Sequence, residues 1–273
     1  MLQELKIGFV GGGNMAAALI EGLLQAGAQS DRIMVSEPDA ARRQWLQEKF
    51  KLQVLEENGT LMRNVPQVVI LAVKPGKVSG VLWELRPFWQ EGQLLLSIAA
   101  GIDLASLQRA LPEGQAVVRV MPNTPALIGE GISALFAPAS LSAKERQWAK
   151  EIMAVSGEVV EIEDESLMDG ITALSGSGPA YVYLIAEALS DGGVACGLPR
   201  PLADRLAIRT LIGSARLLDV SGSHPGVLKN QVTSPGGTTI AGVARLESAG
   251  VRGALIEAVQ AAWQRSRTLS GHA

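Results

Sequence analysis

Residues 7–19 read IGFVGGGNMAAAL, and this stretch decides the fold of the first half of the chain. An apolar run ends in the pattern G-x-G-x-x-A, with Gly11, Gly13 and Ala16 at its fixed positions. The first glycine permits a tight strand-to-helix turn, the second lets backbone approach a pyrophosphate, and the small third residue lets the helix pack close to the strand. The stretch therefore predicts a dinucleotide site at a helix N-terminus. A glycine-rich turn without a ligand is the alternative.

The rest of residues 1–163 alternates short apolar runs with helical patterns. Strands are predicted at 5–10, 32–36, 67–73, 93–99, 117–121, 132–136 and 158–162, and helices at 14–27, 39–50 and about 142–155. Two of the strand runs, QVVILAV (67–73) and QLLLSIA (93–99), are almost wholly apolar, which is typical of parallel strands covered on both faces. The alternation predicts right-handed βαβ units in a doubly wound, mostly parallel sheet.

Strand patterns stop after about residue 163. Helices are predicted at 179–193, 200–219, 225–231, 238–249 and 250–268. Pro179 suits a first helical turn, where its missing N–H costs nothing, and His224 is interpreted as the start of the helix at 225. We therefore predict an α/β domain over 1–163 and an all-α domain over 164–273. Because the second half is rich in Ala and Leu, it favours helix-on-helix packing, partly against a second subunit.

The composition excludes several classes of protein and site. A net charge of −3 gives no electrostatic case for binding nucleic acid or an anionic membrane surface. No run reaches the roughly 18 apolar residues of a membrane span, and the N-terminus has no secretory pattern. The one cysteine, Cys196, is predicted to be a buried, inert thiol, and His224 and His272 are the two histidines, so no metal site is expected. We expect a cytoplasmic protein.

The end of the second strand bears on which dinucleotide binds. Glu37 follows Gly13 by 24 residues, near the place where an acid bonds the ribose hydroxyls of NAD. Ser36, with Arg42 and Arg43 at the start of the next helix, suits a 2′-phosphate instead. A solvated surface charge is the alternative interpretation of both arginines, and it is favoured for Arg43. These residues leave the choice open.

No Ser/His/Asp arrangement for nucleophilic catalysis is present, but hydride transfer needs none, because the cofactor carries the reactive hydrogen. The protein then supplies position, exclusion of water and often one proton donor. The candidate loops share a richness in Gly, Pro, Asn, Ser and Thr. They are AVKPG (72–76), SIAAG (97–101), VMPNTPALIGEG (120–131), LSGSGPAY (174–181) and VTSPGGTTI (232–240).

These motifs together resemble one family. GFVGGGNM, LAVKP, SIAAG, RVMPNTP, ALSGSGPAYVY, LSDGGVACGL and VTSPGGTTIAGVARLE follow in the order and spacing of pyrroline-5-carboxylate reductase, over nearly the whole chain. The resemblance implies reduction of 1-pyrroline-5-carboxylate to L-proline with NAD(P)H, the final step of proline biosynthesis. It also implies a Rossmann-type domain followed by a helical dimerisation domain, and an active site composed at the interface of a homodimer or larger homo-oligomer.

The resemblance assigns cofactor contacts by position. Those implied are Gly11, Gly12, Gly13, Asn14 and Met15 for the pyrophosphate; Ser36, Glu37 and Asn58 for the adenosine end; and Ala72, Val73, Lys74, Pro75, Ala99, Ala100, Gly101 and Asn123 along the rest of the cofactor. Family members commonly prefer NADPH, but an acid at Glu37 would repel a 2′-phosphate. We therefore expect NADPH, with NADH as the alternative.

The substrate carries a carboxylate and a cyclic imine. The segment around Ser234, Gly236, Gly237 and Thr238 is expected to bind the carboxylate through backbone N–H groups and a helix N-terminus. Thr239, which matches the threonine of the family motif, is implied to hydrogen-bond the imine nitrogen. Its hydroxyl is too weak an acid to act alone, so orientation or proton relay is its expected catalytic role.

Two alternative functions follow from the same pattern. A β-hydroxyacid dehydrogenase would also join a dinucleotide-binding domain to a helical one, but it needs a catalytic lysine on the helix after the boundary. No lysine occurs between Lys150 and Lys229. A non-catalytic dinucleotide-binding sensor would retain the glycine turn, yet it would not need the hydroxyl of Thr239.

Overall fold

The computed structural model describes residues 2–271, and in that range eight strands form a single sheet. The strands are β1 (Ile7–Val10), β2 (Ile33–Ser36), β3 (Gln53–Leu55), β4 (Val68–Leu71), β5 (Leu94–Ser97), β6 (Ala116–Met121), β7 (Gly131–Phe136) and β8 (Gly157–Ile162). Their order is β3-β2-β1-β4-β5-β6-β7-β8. Only the pairing of β6 with β7 is antiparallel, so the predicted mostly parallel sheet is confirmed.

Helices separate the strands and then make up the C-terminal part of the chain. They are α1 (Asn14–Gln25), α2 (Ala40–Phe50), α3 (Asn58–Arg63), α4 (Val78–Leu85), α5 (Leu104–Ala110), α6 (Ala143–Ala154), α7 (Met168–Ile171), α8 (Gly178–Ala195), α9 (Arg200–Ser221), α10 (Pro225–Gln231), α11 (Thr238–Ser248) and α12 (Val251–Leu269). No strand follows β8 within residues 163–271. The predicted α/β-then-all-α fold class is confirmed.

The sheet is covered on both faces, as the apolar strand runs predict. Phe9 and Ile70 are fully buried in a core that includes residues of α1 and α6. Leu71 and Leu95 point to the opposite face, where they pack in a core that includes residues of α3, α4 and α5. This doubly wound arrangement brings the carboxyl ends of β1, β2, β4 and β5 to one edge, and the polar loops follow those ends.

Several elements were not predicted from the sequence. The strand β3 has only three residues, and its Gln53 is exposed, so it has no continuous apolar run. The helices α3, α4 and α5 have six to eight residues each, too few for a clear helical period. The prediction of a buried Cys196 is wrong: the thiol is exposed in this chain, at the C-terminal end of α8 before the left-handed Gly197.

Two helix starts agree with their predictions. The side chain of His224 caps α10, because its Nδ1 atom accepts a hydrogen bond from the backbone nitrogen of Gly226 at 3.1 Å. Pro179 lies in the first turn of α8. The other histidine, His272, lies outside the described residues.

The described residues divide into two compact units, one of residues 2–176 and 262–271 and the other of residues 177–261. These units do not coincide with the two domains predicted from the sequence, residues 1–163 and 164–273. Two contacts explain why residues 164–176 group with the sheet: Glu165 forms an ion pair with Arg119 of β6, and Asp169 accepts a hydrogen bond from Ser266 of α12. The functional division at 163/164 stays a prediction.

Candidate active site

The glycine turn between β1 and α1 has the geometry of a phosphate cradle. Gly11 has φ +97°, and a Cβ atom there would lie 2.7 Å from the carbonyl oxygen of Ala72, so only glycine fits. Gly13 caps α1 with its backbone alone, and no side chain bonds the first-turn N–H groups. A Cβ atom on Gly13 would meet nothing within 4 Å, so the turn is open there. First-turn N–H groups without a side-chain cap, at the start of a 12-residue helix and next to open space at Gly13, suit an anion.

Ser36 and Asn58 are joined at the end of β2. Ser36 is fully buried, and its hydroxyl donates a hydrogen bond to Asn58 Oδ1 at 2.8 Å. Asn58 in turn donates through Nδ2 to the carboxylate of Glu84 at 3.2 Å. These two bonds fix which way the amide of Asn58 points. Glu84 is a residue that the sequence reasoning missed, because no motif marks it.

Glu37 lies directly against the glycine turn. Its Oε2 atom accepts a hydrogen bond from the backbone nitrogen of Gly12 at 2.9 Å, and Oε1 accepts one from the backbone nitrogen of Asp39 at 3.0 Å. A carboxylate held by two backbone donors has a fixed position. The structure therefore places a negative charge beside the turn, where an acid that bonds a ribose would lie.

The two arginines of α2 are both held in place. Arg42 donates through Nε to the carbonyl oxygen of Gly12 at 2.6 Å, and its guanidinium lies 4.1 Å above the ring of Trp45. The interpretation of Arg43 as a solvated charge is wrong. Its side chain is only 20% exposed and forms an ion pair with Glu56 at 3.1 Å. Arg42 is therefore the arginine that lies beside the glycine turn.

The predicted cofactor loops after β4 and β5 lie at the same edge as the glycine turn. Ala72 extends the ladder by donating from its backbone nitrogen to Val10, while Lys74 is exposed. Ala99 and Gly101 are buried. Just before them, the hydroxyl of Ser97 is buried and has no hydrogen-bond partner among residues 2–271. Such a group is one that a bound molecule or a water would satisfy.

Asn123 follows β6 and has a structural bond. Its Oδ1 atom accepts a hydrogen bond from the backbone nitrogen of Ile132 at 3.0 Å, which links the turn after β6 to the start of β7. The amide Nδ2 atom of Asn123 donates no hydrogen bond within the described part of the chain. The side chain therefore keeps a donor for a ligand while its oxygen holds the loop.

A charged pair secures the far end of the loop after β5. The Oε1 atom of Glu165 accepts from the backbone nitrogen of Leu104 at 2.7 Å and from Arg119 Nη1 at 2.9 Å. The side chain of Arg119 is 5% exposed and that of Glu165 is 25% exposed. The sequence reasoning missed this pair, although a charged residue inside the apolar run VVRVM is a signal of a buried partner.

The predicted substrate segment forms the loop between α10 and α11. Gly236 has φ +68°, and the backbone nitrogen of Gly237 donates to the carbonyl oxygen of Ser234 at 3.0 Å, which closes a turn. Gly237 then caps α11, and no side chain bonds its first N–H groups. Within residues 2–271 the hydroxyls of Ser234, Thr238 and Thr239 form no hydrogen bond, and all three residues are exposed. The loop therefore presents free donors at a helix N-terminus.

The other end of α11 carries an ion pair. Arg252 Nη2 lies 2.5 Å from Glu247 Oε1, and the hydrogen bond from Arg252 lowers the pKa of that carboxyl. A similar local effect occurs at Asp164, where bonds from the side chain and backbone of Ser166 lower the pKa of the carboxyl. Both groups are on the surface, so they fix local turns and do not supply a proton donor.

The predicted site residues fall into two sets. All the predicted cofactor residues belong to the unit of residues 2–176 and 262–271, and the predicted substrate residues belong to the unit of residues 177–261. In the described range, no group of three or more His, Cys, Asp or Glu side chains is arranged to hold a metal ion. No helix in that range is both long enough and apolar enough to cross a membrane.

Both the first and the second half of the chain match known protein families. A family model described as pyrroline-5-carboxylate reductase dimerisation matches residues 165–269, and one described as NADP oxidoreductase, coenzyme F420-dependent, matches residues 6–101. The pyrroline-5-carboxylate reductase of Synechocystis sp. is 45% identical, with 97% of this chain and 98% of that protein aligned. The chain belongs to the pyrroline-5-carboxylate reductase family. The family member from Pisum sativum is 43% identical over 97% of this chain and 96% of its own length.

Solved structures agree with this assignment. A pyrroline-5-carboxylate reductase from Coxiella burnetii has a TM-score of 0.89 and 35% identity, with 97% of this chain and 98% of that one covered. The enzyme from Plasmodium falciparum, solved with NADP bound, has a TM-score of 0.90 and 32% identity, with 99% and 100% covered. The 3-hydroxyisobutyrate dehydrogenase of Mycobacterium tuberculosis is 14% identical at a TM-score of 0.52 and shares the fold alone.

Proposed function

We propose that this protein reduces 1-pyrroline-5-carboxylate to L-proline with NAD(P)H, as the final step of proline biosynthesis. The observation that carries the proposal is the start of α11, where an uncapped helix N-terminus follows the Gly236–Gly237 turn and the hydroxyl of Thr239 is free. This arrangement suits a small ligand that has a carboxylate and, a short distance away, a nitrogen that accepts or donates a hydrogen bond.

The residues of the glycine turn fit a dinucleotide. The open backbone at Gly13 and the first N–H groups of α1, at Asn14 and Met15, would hold the pyrophosphate. Gly11 and Gly12, whose own N–H groups donate to Ser36 and Glu37, would let it approach the turn closely. Ser36, Glu37 and Asn58 would contact the adenosine end, and the loops at Ala72–Pro75 and Ala99–Gly101, with Asn123, would line the rest. A bound nicotinamide supplies the hydride that is added to the imine carbon.

The start of α11 would bind the substrate carboxylate. Ser234, Gly236, Gly237 and Thr238 lie in the turn that precedes and opens this helix. The N–H of Gly237 closes the turn onto Ser234, so the donors that match the two carboxylate oxygens are the N–H groups of Gly236 and Thr238 and the hydroxyls of Ser234 and Thr238. Each charge-assisted hydrogen bond of this kind contributes about 1.5–3 kcal/mol. The positive end of the helix dipole adds to this attraction.

Thr239 would orient the ring nitrogen. As the carbon accepts hydride, the nitrogen has to be, or become, protonated, and a hydroxyl can hold a proton on that atom or relay one to it. The hydroxyl of a threonine is far too weak an acid to protonate an imine alone. We therefore assign Thr239 the positioning of the nitrogen and the relay of a proton.

For the cofactor we propose NADPH, with NADH as a second, usable cofactor. Glu37 opposes a 2′-phosphate because its carboxylate is fixed beside Gly12. Arg42 favours a 2′-phosphate, because a hydrogen bond to the carbonyl oxygen of Gly12 holds its positive guanidinium beside the same turn. The balance between the negative charge of Glu37 and the positive charge of Arg42 sets the preference between NADPH and NADH.

We also propose a homodimer or larger homo-oligomer in the cytoplasm, with residues 164–273 as the substrate-binding and dimerisation domain. Many large apolar side chains on α8, α9, α11 and α12 are exposed in the single chain, which supports a second copy as their partner. A chain with one cysteine suits a reducing compartment. Light scattering that gives a stable, active monomer would contradict the oligomer.

The deciding experiment measures oxidation of NADPH, and separately of NADH, by the purified protein with 1-pyrroline-5-carboxylate. Formation of L-proline in step with cofactor oxidation supports the proposal. Tight cofactor binding without turnover would instead indicate a dinucleotide-binding sensor. Turnover of a β-hydroxyacid with NAD⁺, and none of the imine, would indicate the dehydrogenase alternative.

A further inference from the structure

The loop after β5 is backed by the end of the last helix. Gly101 is buried and has φ +71°. A Cβ atom on Gly101 would lie 3.4 Å from the Cβ atom of Leu269 and 4.0 Å from the hydroxyl of Ser270. The last turn of α12 therefore packs directly behind a loop that we assign to the cofactor, although the two segments are far apart in sequence.

A buried carboxylate holds that last turn. Asp169 is 6% exposed, and its Oδ1 atom accepts a hydrogen bond from Ser266 Oγ at 2.6 Å. It also lies 3.1 Å from Ser270 Oγ, whose single proton is shared between Asp169 and the carbonyl oxygen of Ser266 at 3.0 Å. Ser266 itself is 5% exposed. A buried carboxylate is costly unless it is hydrogen-bonded, so these hydroxyls are tightly tied to their position.

The spacing of the two serines determines what the bonds control. Ser266 and Ser270 are four residues apart, so their side chains lie on one face at the end of α12. Contacts of both serines with a single carboxylate oxygen fix the position of that turn along the helix axis and its rotation about the axis. Rotation is what decides whether Leu269 and Ser270 lie against Gly101.

The nearby pair of Glu165 and Arg119 supports the same loop at another point. Glu165 holds the backbone nitrogen of Leu104, three residues after Gly101. The loop is thus fixed at Leu104 by a hydrogen bond from its backbone nitrogen to Glu165. At Gly101 it packs against the end of α12, which Asp169 positions. Both supports depend on a carboxylate that is distant in sequence from the loop, Glu165 at Leu104 and Asp169 at Gly101, but Asp169 acts through the end of α12.

We propose that Asp169 is a positioning residue for the cofactor: through Ser266 and Ser270 it sets the end of α12, which holds the Ala99–Gly101 loop in its cofactor-binding form. This rests on the proposed function in one respect, the assignment of that loop to NAD(P)H. Asp169 itself contacts no reacting atom in this scheme.

The test measures the Kd of NADPH by equilibrium titration of the full-length protein, which needs no substrate. Asp169→Asn, Ser266→Ala and the double variant are compared with wild type. We expect each single variant to raise the Kd about fivefold and the double variant to raise it by less than the product of the two, because both break the bond between Asp169 and Ser266. The KM for 1-pyrroline-5-carboxylate should stay within about twofold of wild type.

The control is Thr268→Ala. It removes a hydroxyl of the same turn whose bond, within residues 2–271, is to the carbonyl oxygen of Gln264 in its own helix. Its Kd should equal that of wild type. If the Asp169 and Ser266 variants lower the melting temperature but bind NADPH as wild type does, the residue has a purely structural role and the proposal is wrong. If Asp169→Asn does not fold, the Kd of the Ser266→Ala variant for NADPH decides between the two outcomes.

The outcome separates this proposal from the proposed function. A wild-type protein that binds NADPH without reducing the imine contradicts the proposed function but leaves the Kd test intact. A wild-type protein that binds neither NADPH nor NADH overturns both. A Kd that rises equally in Thr268→Ala also overturns the role of Asp169, because the effect would then not depend on the anchor.

Discussion

The carboxylate of Glu37 is hydrogen-bonded to the glycine turn, with its Oε2 atom 2.9 Å from the backbone nitrogen of Gly12. The two residues come from different βα connections and meet because β1 and β2 are adjacent in the sheet. The negative charge of Glu37 therefore lies at a fixed position beside the proposed pyrophosphate site, where it affects the choice between NADPH and NADH.

Replacing Glu37 with serine should shift cofactor use toward NADPH. The variant removes the charge that repels a 2′-phosphate and leaves Arg42 beside the turn. We expect the ratio of kcat/KM for NADPH to that for NADH to rise about tenfold, equivalent to about 1.4 kcal/mol. Steady-state kinetics with both cofactors measures it. Glu48→Gln is the matched control: it removes a carboxylate from α2, where Glu48 bonds Gln44 of its own helix, and should leave the ratio unchanged. An unchanged ratio in Glu37→Ser would contradict the assignment.

Thr239→Val should lower kcat/KM for the imine while the fold is kept. The hydroxyl bonds nothing in the described chain, so its loss should not change the melting temperature. We expect a loss of at least about tenfold in kcat/KM, the value of one lost hydrogen bond to the reacting nitrogen. Thr239→Ser keeps the hydroxyl and should recover most of the activity. Wild-type kinetics in the valine variant would remove Thr239 from the mechanism.

Alanine should destabilise the protein at one position of the glycine turn and leave its stability unchanged at another. In Gly11→Ala the new Cβ atom lies 2.7 Å from the carbonyl oxygen of Ala72 at φ +97°, which destabilises the fold by about 1–2 kcal/mol or more. In Gly13→Ala the Cβ atom meets nothing within 4 Å, so the melting temperature should stay close to wild type. Thermal unfolding followed by circular dichroism compares them. Equal melting temperatures would show that the turn relaxes around the new methyl group.

Glu165→Gln should destabilise the protein far more than the loss of a surface ion pair. Removing the partner leaves the guanidinium of Arg119, 5% exposed, without its countercharge. We expect a loss of about 3 kcal/mol in the free energy of unfolding, measured by denaturant titration. The control is Glu161→Gln, whose ion pair with Lys150 has side chains 44% and 50% exposed, and it should cost about 1 kcal/mol or less. Similar losses in the two variants would contradict the importance of burial.

Local sequence predicted much of the fold correctly. The ends of α1, α2, α6, α9 and α10 lie within a few residues of their predicted bounds, because turn residues and apolar periods mark them. The three-residue β3 and the short helices α3, α4 and α5 were not predicted, since segments of that length show no clear period. Cys196 was predicted buried because its neighbours are small and apolar, but burial depends on what packs over a residue.

The candidate site was predictable only in part. Glycine turns are visible in sequence because a positive φ or a close backbone approach needs glycine, as at Gly11 and Gly236. The supporting residues Glu84, Glu165 and Asp169 are in no motif, and Arg119 opens the RVMPNTP motif without a role that the motif itself assigns. Their roles come from partners elsewhere in the chain, and only the charge of Arg119 inside an apolar strand hinted at one.

The sequence by itself determined that strands alternate with helices up to about residue 163 and that helices alone follow, and it located the glycine turns that precede α1 and α11. Each depends on residues that are neighbours in the chain, so backbone propensity is enough to decide it. Only the tertiary structure decided that Glu37 bonds Gly12, that Glu165 neutralises Arg119, and that Asp169 holds a serine 97 residues away. The physical reason is that such bonds depend on which strands pair and which helices pack together, and burial then makes an unpaired charge too costly to keep.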